Sequence, residues 1–175
     1  LGRSASAAAR LASVFRGQEA IKTYWALTAG VPSPASGRID LAVAKRPTDA
    51  GERVVADAVS GKRAITHYAV VAQAGRKIAW IALRPRTGRT HQIRVHCAAL
   101  GVPIIGDRKY GGTASVIDGL PSGGMMLHAR AIELPHPAGG RLELEAPLHD
   151  SMRLAWRFFG FEPATVMSAI DVLPG

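Results

Sequence analysis

Arg84-Pro85-Arg86-Thr87-Gly88-Arg89-Thr90-His91-Gln92-Ile93-Arg94-Val95-His96 is the densest run of chemistry-bearing side chains in this 175-residue chain. It holds four arginines and two histidines and no acid. Thr87-Gly88-Arg89-Thr90 reads as a turn, with Thr90 the expected N-cap of a helix over His91–Leu100 that Gly101 and Pro103 stop. On that helix Ile93, Cys97 and Leu100 share one face. His91 and Arg94 share the opposite side, so Arg94 rides on a rigid element whose back meets the core. The amides at the helix start, near Thr90 to Gln92, favour an anion.

Working outward, the neighbouring segments alternate as strands. Ala64–Gln73 and Lys77–Leu83 read as a hairpin turned at Gly75, and Ile78, Trp80, Ile81 and Leu83 read as buried on both faces. Upstream, Ser4–Phe15 reads as a helix capped by Ser4 or Ser6, with Ala8, Leu11, Ala12 and Phe15 at helical spacing. Lys22–Ala29 and Arg38–Ala44 read as strands, and Arg46–Ser60 as a polar link. Downstream come strands over Leu127–Leu134 and Arg141–Glu145. Asp150 is the expected cap of a helix carrying Met152, Leu154, Ala155, Phe158 and Phe159. Residues 163–175 take no assignment. Helices beside a mixed, mostly antiparallel sheet make an α+β class, in one domain over residues 1–175.

The net charge is +9. Residues 61–110 account for all of it, because the two flanks cancel. Lys62, Arg63, Arg76, Lys77, Arg84, Arg86, Arg89, Arg94, Arg108 and Lys109 lie there against one acid, Asp107. A localised, arginine-rich stripe points to nucleic acid, since guanidinium forks onto phosphate and stacks on bases. One cysteine excludes a disulfide framework, and Cys97 reads as a small core residue. His91 and His96 diverge by about 140° on a helix, so they do not form a metal pair. With no Cys/His cluster and no G-x-S-x-G segment, neither a metal centre nor a serine-hydrolase site is expected. No apolar run approaches membrane-spanning length and no secretory signal is present, so a cytoplasmic location is expected.

The same residues resemble a known family. The 84–96 run, followed by Gly101-Val102-Pro103-Ile104-Ile105-Gly106-Asp107 and Tyr110-Gly111, is similar to the signature of RluA-type pseudouridine synthases. Lys22-Thr23-Tyr24-Trp25-Ala26-Leu27 resembles that family's K-x-Y-x-A segment. Gly61-Lys62-Arg63-Ala64-Ile65-Thr66-His67-Tyr68 resembles its G-K-x-A-x-T-x-Y strand. Leu127-His128-Ala129 with His136-Pro137 resembles its L-H-A…H-P segment. The resemblance covers roughly residues 1–159, and Gly106-Asp107-Arg108-Lys109-Tyr110-Gly111 leans toward the branch acting on large-subunit ribosomal RNA.

The resemblance implies a cofactor-free isomerisation of uridine to its C-glycoside in RNA, with 23S ribosomal RNA as the expected partner and a monomeric protein. It implies that Tyr24 lies against the uracil and that Arg94 pairs with a catalytic carboxylate and keeps it ionised. Lys62, Arg84, Arg86, Thr87, Gly88, Arg89, Thr90, His91 and Gln92 become the expected substrate-binding residues. Asp107 and Tyr110 are expected only to shape a turn, and His128 to be structural. The family's H-R-L-D-x-x-T-S-G segment, which carries the catalytic Asp before the K-x-Y strand, is not in this chain, nor is an S4-like module. Arg38-Ile39-Asp40 follows Tyr24 and lacks the rest of that pattern, so it is not the substitute. The chain, beginning at Leu1, is therefore expected to be a piece that is inactive alone. The alternative is a basic RNA-binding module without chemistry. In that case Arg94 would face open solvent and not a pocket beside Tyr24.

Overall fold

The computed structural model describes residues 4–17, 19–49, 51–121, 123–136, 138–163 and 173. Helix α1 (Ala5–Arg16) begins at the expected cap, where the Ser4 hydroxyl accepts from the Ala7 amide at 3.2 Å. Six strands form one sheet: β1 (Ile21–Ala29), β2 (Ser36–Asp40), β5 (Ile65–Ala74), β6 (Ile78–Pro85), β7 (Leu127–Pro135) and β8 (Arg141–Glu145). Their order is β2-β5-β6-β1-β7-β8, and every pairing is antiparallel. The hairpin expected at Gly75 is β5–β6, and β6 is buried from Ile78 to Arg84, as its apolar run requires in a central strand.

Alternation on β1 and β6 separates two faces. Trp25, Leu27, Trp80 and Ala82 share one, because Trp25 pairs with Ala82 and Leu27 with Trp80. Helix α4 (Asp150–Phe158) covers that face. Trp80 meets Trp25 and Trp156 edge-to-face, with ring centroids 4.8 and 5.5 Å apart. Tyr24 and Leu83 point to the other face. Helix α2 (Gln92–Ala99) docks Ile93 and Cys97 into the core, while Val95 packs with Val43, Val54 and Ala64 in a second cluster. Both sides of α2 are thus gripped, more firmly than one apolar stripe implies.

Four expectations are corrected. The strand read over Arg38–Ala44 is two strands, because β2 ends at Asp40 to pair with β5 while β3 (Val43–Thr48) leaves to pair elsewhere. The polar link over Arg46–Ser60 holds the rest of that hairpin, β3 with β4 (Gly51–Ala56). Its outward charges hid a period-two pattern whose only buried anchors are Val43 and Val54. The N-cap of α2 is His91, in the left-handed region at φ 52°, and no side chain caps the helix, Thr90 included. Asp150 is the first residue of α4 and not its cap; His149 stands at the cap without a side-chain bond. Residues 164–172, 174 and 175 lie outside the described residues, as does Pro137.

Candidate active site

A cleft of about 480 Å³ opens between β1, the end of β6, the 86–91 turn and α2. Tyr24, Arg84, Arg86, Thr87, Gly88, Arg89, His91, Gln92 and Arg94 all line it. Sequence positions 24 and 94 meet here because β1 pairs with β6, and β6 runs into the turn that starts α2. The β1–β7 register shifts between Thr23 and Tyr24, a bulge beside Tyr24 of the kind that re-aims a side chain. The Tyr24 hydroxyl has no hydrogen-bond partner among the described residues, and burial raises its pKa above the ordinary phenol value. Among the described residues, none lining the cleft is acidic.

Arg94 is the best-held cation of the cleft. Its Nε and Nη2 donate to the two carboxylate oxygens of Asp107 at 2.8 and 2.6 Å. The Arg94 side chain is 18% exposed and that of Asp107 only 1%. The guanidinium also lies 4.7 Å from the centroid of the Tyr110 ring, within cation–π range. The fork to Asp107 raises the Arg94 pKa further, so the cation is permanent. Nη1 has no partner among the described residues, which leaves one edge of the guanidinium for a second anion. Arg94 thus sits in a pocket with Tyr24 and not in open solvent.

Asp107 and Tyr110 do more than shape a turn. Asp107 also accepts from the Tyr110 amide at 3.2 Å and so caps the short helix α3 (Arg108–Gly111). The Tyr110 hydroxyl accepts from the Val54 amide at 3.3 Å and reaches Nδ1 of His91 at 2.8 Å. This links the β3–β4 hairpin to α2. The sequence did hold a signal: Asp107 is the single acid in the basic stretch. A buried cation needs a partner, and only one was close in sequence.

Three other expected binding residues are also tied into the protein. The Gln92 amide donates to the Ile65 carbonyl and Thr66 hydroxyl and accepts from the Thr87 hydroxyl and Arg89 amide, at 2.7–3.0 Å. All four of its hydrogen-bonding positions are filled, so it braces the turn that displays Arg86 and Arg89. Thr87 is drawn into the same brace, since its hydroxyl also accepts from the Ile65 amide at 2.9 Å. Arg84, though it lines the cleft, donates to the Thr23 hydroxyl and the Leu173 carbonyl. The Gln92 amide N–H, expected to be open to an anion, donates to the Arg89 carbonyl at 3.1 Å. Lys62 and Thr90 do not reach the cleft and line a separate pocket. His128 bonds within its own neighbourhood, through Nε2 to the Ala146 carbonyl. Cys97 is fully buried, which pushes its thiol up to about 12.

Two histidines give the fold a pH dependence. Burial pulls His96 below its ordinary value. Neutral His96 donates from Nε2 to the Leu41 carbonyl at 3.1 Å and accepts the Thr66 hydroxyl at Nδ1, 2.9 Å away. Burial, then the charges of Arg94 and Lys109, lowers His91 as well. The unfolded chain therefore takes up protons below about pH 6.5 that the folded chain refuses. Stability is expected to be level above that pH and to fall as the pH drops below it. Urea midpoints measured between about pH 7 and pH 5 check this. A midpoint that is flat or rises on acidification contradicts it.

The profile of the RNA pseudouridylate synthase family matches residues 1–99. The chain belongs to that family. An RNA pseudouridine synthase of Zymomonas mobilis is 41% identical over 151 residues, covering 85% of this chain and 66% of the relative. The dual-specificity RNA pseudouridine synthase RluA of Escherichia coli is 41% identical over 135 residues, covering 76% of this chain and 59% of the relative. This chain thus spans less than two thirds of either relative. Among solved structures, the human RNA pseudouridylate synthase domain containing 4 superposes with a TM-score of 0.71 at 26% identity, over 89% of this chain and 68% of that one. The α+β fold expected from the sequence is the fold of these synthase domains.

Proposed function

We propose that this chain forms the uridine-binding wall of an RNA pseudouridine synthase acting on large-subunit ribosomal RNA. The carrying observation is that Tyr24 and the open edge of Arg94 share one basic cleft that, among the described residues, contains no acid. Arg86 and Arg89 supply cations for the backbone. The target base has to leave its stack, at a cost of a few kcal/mol, and lie against Tyr24. Arg94, already neutralised on one edge by Asp107, offers Nη1 to the carboxylate that starts the reaction. The family's H-R-L-D-x-x-T-S-G segment, which carries that carboxylate, is not among these 175 residues. The protein works without a cofactor, as a monomer in the cytoplasm. No helix among the described residues is long and apolar enough to cross a membrane.

Two assays test this. With RNA tritiated at carbon 5 of uridine, the 175-residue chain is expected to bind RNA and release no tritium. Tritium release would show that an acid of this chain performs the step and overturn the predicted inactivity, and failure to bind RNA would overturn the whole reading. Deleting the gene is expected to remove specific pseudouridines from 23S ribosomal RNA. An unchanged modification map, with RNA binding intact, would favour the non-catalytic binding module.

A further inference from the structure

On the far side of the Gly88–Arg89 turn lies a second pocket, of about 430 Å³. Gly88 and Arg89 line both it and the cleft, so one turn is the wall between them. Lys45, Arg46 and Lys62 supply the remaining cations, and among the described residues no acid lines it. Two of these charges are already answered. Lys45 pairs with Glu52 at 2.8 Å, and Arg46 pairs with Asp57. Lys62 and Arg89 have no acidic partner among the described residues. Both side chains line one concavity, so an anion entering it is attracted by both and meets no acid among the described residues lining it.

The walls of this pocket are fixed. Lys62 exchanges both backbone hydrogen bonds with Val43, at 2.9 and 3.0 Å, which anchors it to the root of the β3–β4 hairpin. Gly61 allows this approach, since a Cβ there would lie 2.2 Å from the Asp57 carbonyl oxygen. The hairpin is held to α2 through Val43, Val54, Val95 and Tyr110. Arg89 is aimed by its Nε, which donates to the Arg63 carbonyl at 3.3 Å, and by its amide on Gln92.

We infer that this pocket binds a backbone phosphate of the same RNA strand whose uridine lies in the cleft, with Lys62 and Arg89 as its cations. The inference rests on the RNA reading above and adds a second, neighbouring contact to it. A strand leaving the cleft crosses the Gly88–Arg89 turn, and the phosphate beyond that turn falls between Lys62 and Arg89.

Binding of oligouridylates of different length to the 175-residue chain tests this, followed by anisotropy from about 50 to 200 mM salt. For a nonauridylate, Lys62→Ala is expected to weaken binding severalfold at low salt. The slope of log K against log salt should become shallower by about 0.7, the value for one phosphate contact on a single strand. Lys62→Arg should keep the wild-type slope, and Lys62→Glu should lose more than Lys62→Ala. Uridine monophosphate, which reaches only the cleft, should lose less than the nonauridylate. Thermal melting of each variant confirms that the fold is intact. An unchanged slope in Lys62→Ala, or equal losses for the long and short ligands, overturns the second contact alone. Failure of the wild-type chain to bind either ligand overturns the RNA reading with it.

Discussion

Replacing Arg94 with Ala is expected to lower the unfolding free energy by about 3–5 kcal/mol, the range for breaking a buried ion pair from one side. The reason lies behind the cleft. The Asp107 carboxylate is 1% exposed, and both its oxygens are held by Arg94. Without the guanidinium, the side chain of Asp107 keeps the Tyr110 amide at 3.2 Å as a donor, too little to replace water. The reverse substitution, Asp107→Ala, is expected to cost less, because Arg94 is 18% exposed and lines the open cleft. Arg94→Lys should fall between wild type and Arg94→Ala, since an ammonium keeps the charge but cannot fork onto two oxygens. The double variant Arg94→Ala/Asp107→Ala should lose less than the sum of the two single changes. Urea unfolding of the four variants beside the wild type measures all of this. A loss below about 0.5 kcal/mol in Arg94→Ala, the size of an ordinary surface change, would contradict a buried pair.

The pair also shows what the sequence could and could not convey. Local pattern marked the arginines and the helix start of the cleft, whereas Tyr24 was assigned to it only by the family resemblance, and Lys62 and Thr90 lie outside it. A turn, a helix start and a neighbouring strand bring Arg86, Arg89, His91 and Arg94 within reach of Tyr24 once β6 pairs with β1. The direction of each side chain within the site was not legible. Gln92 and Arg94 are two residues apart on one helix, yet Gln92 turns inward to brace Thr87 and β5 while Arg94 keeps an open edge. That choice is set by partners at positions 65, 66 and 107, which no helical periodicity reveals. The β3–β4 hairpin escaped notice for a related reason. Its strands bury Val43 and Val54 against α2 and face solvent elsewhere, so its composition reads as a link. Lys62 was legible as a basic residue near the site, but its separation from the cleft depends on the root of that hairpin.

Gly106→Ala is expected to destabilise the protein by about 3–5 kcal/mol, in the upper tail for single substitutions. Gly106 has φ +81°, a conformation that already disfavours a side chain. A Cβ there would also lie 1.9 Å from the Gly124 carbonyl oxygen and 2.6 Å from its carbon. Both atoms are backbone, so no rotamer change relieves the contact. The surrounding chain has little room to yield. The Ile105 amide donates to the Leu27 carbonyl of β1 at 2.9 Å, and the Gly106 amide to the Ser115 carbonyl at 2.8 Å. The Asp107 amide donates to the Ile104 carbonyl at 3.0 Å. Relief must therefore come from moving the 124–126 segment off β1 or from displacing Asp107, which would loosen its fork on Arg94. Gly112→Ala supplies the comparison. It sits at φ +55° and ψ −139°, outside the left-handed helical well, and a Cβ there would meet nothing within 4 Å, so backbone strain alone applies, about 1–3 kcal/mol. A clearly larger loss in Gly106→Ala, read by urea unfolding, reports the collision on top of backbone strain. Equal losses would mean that the loop before Asp107 accommodates a methyl group and that Arg94 is not held as firmly as its geometry implies.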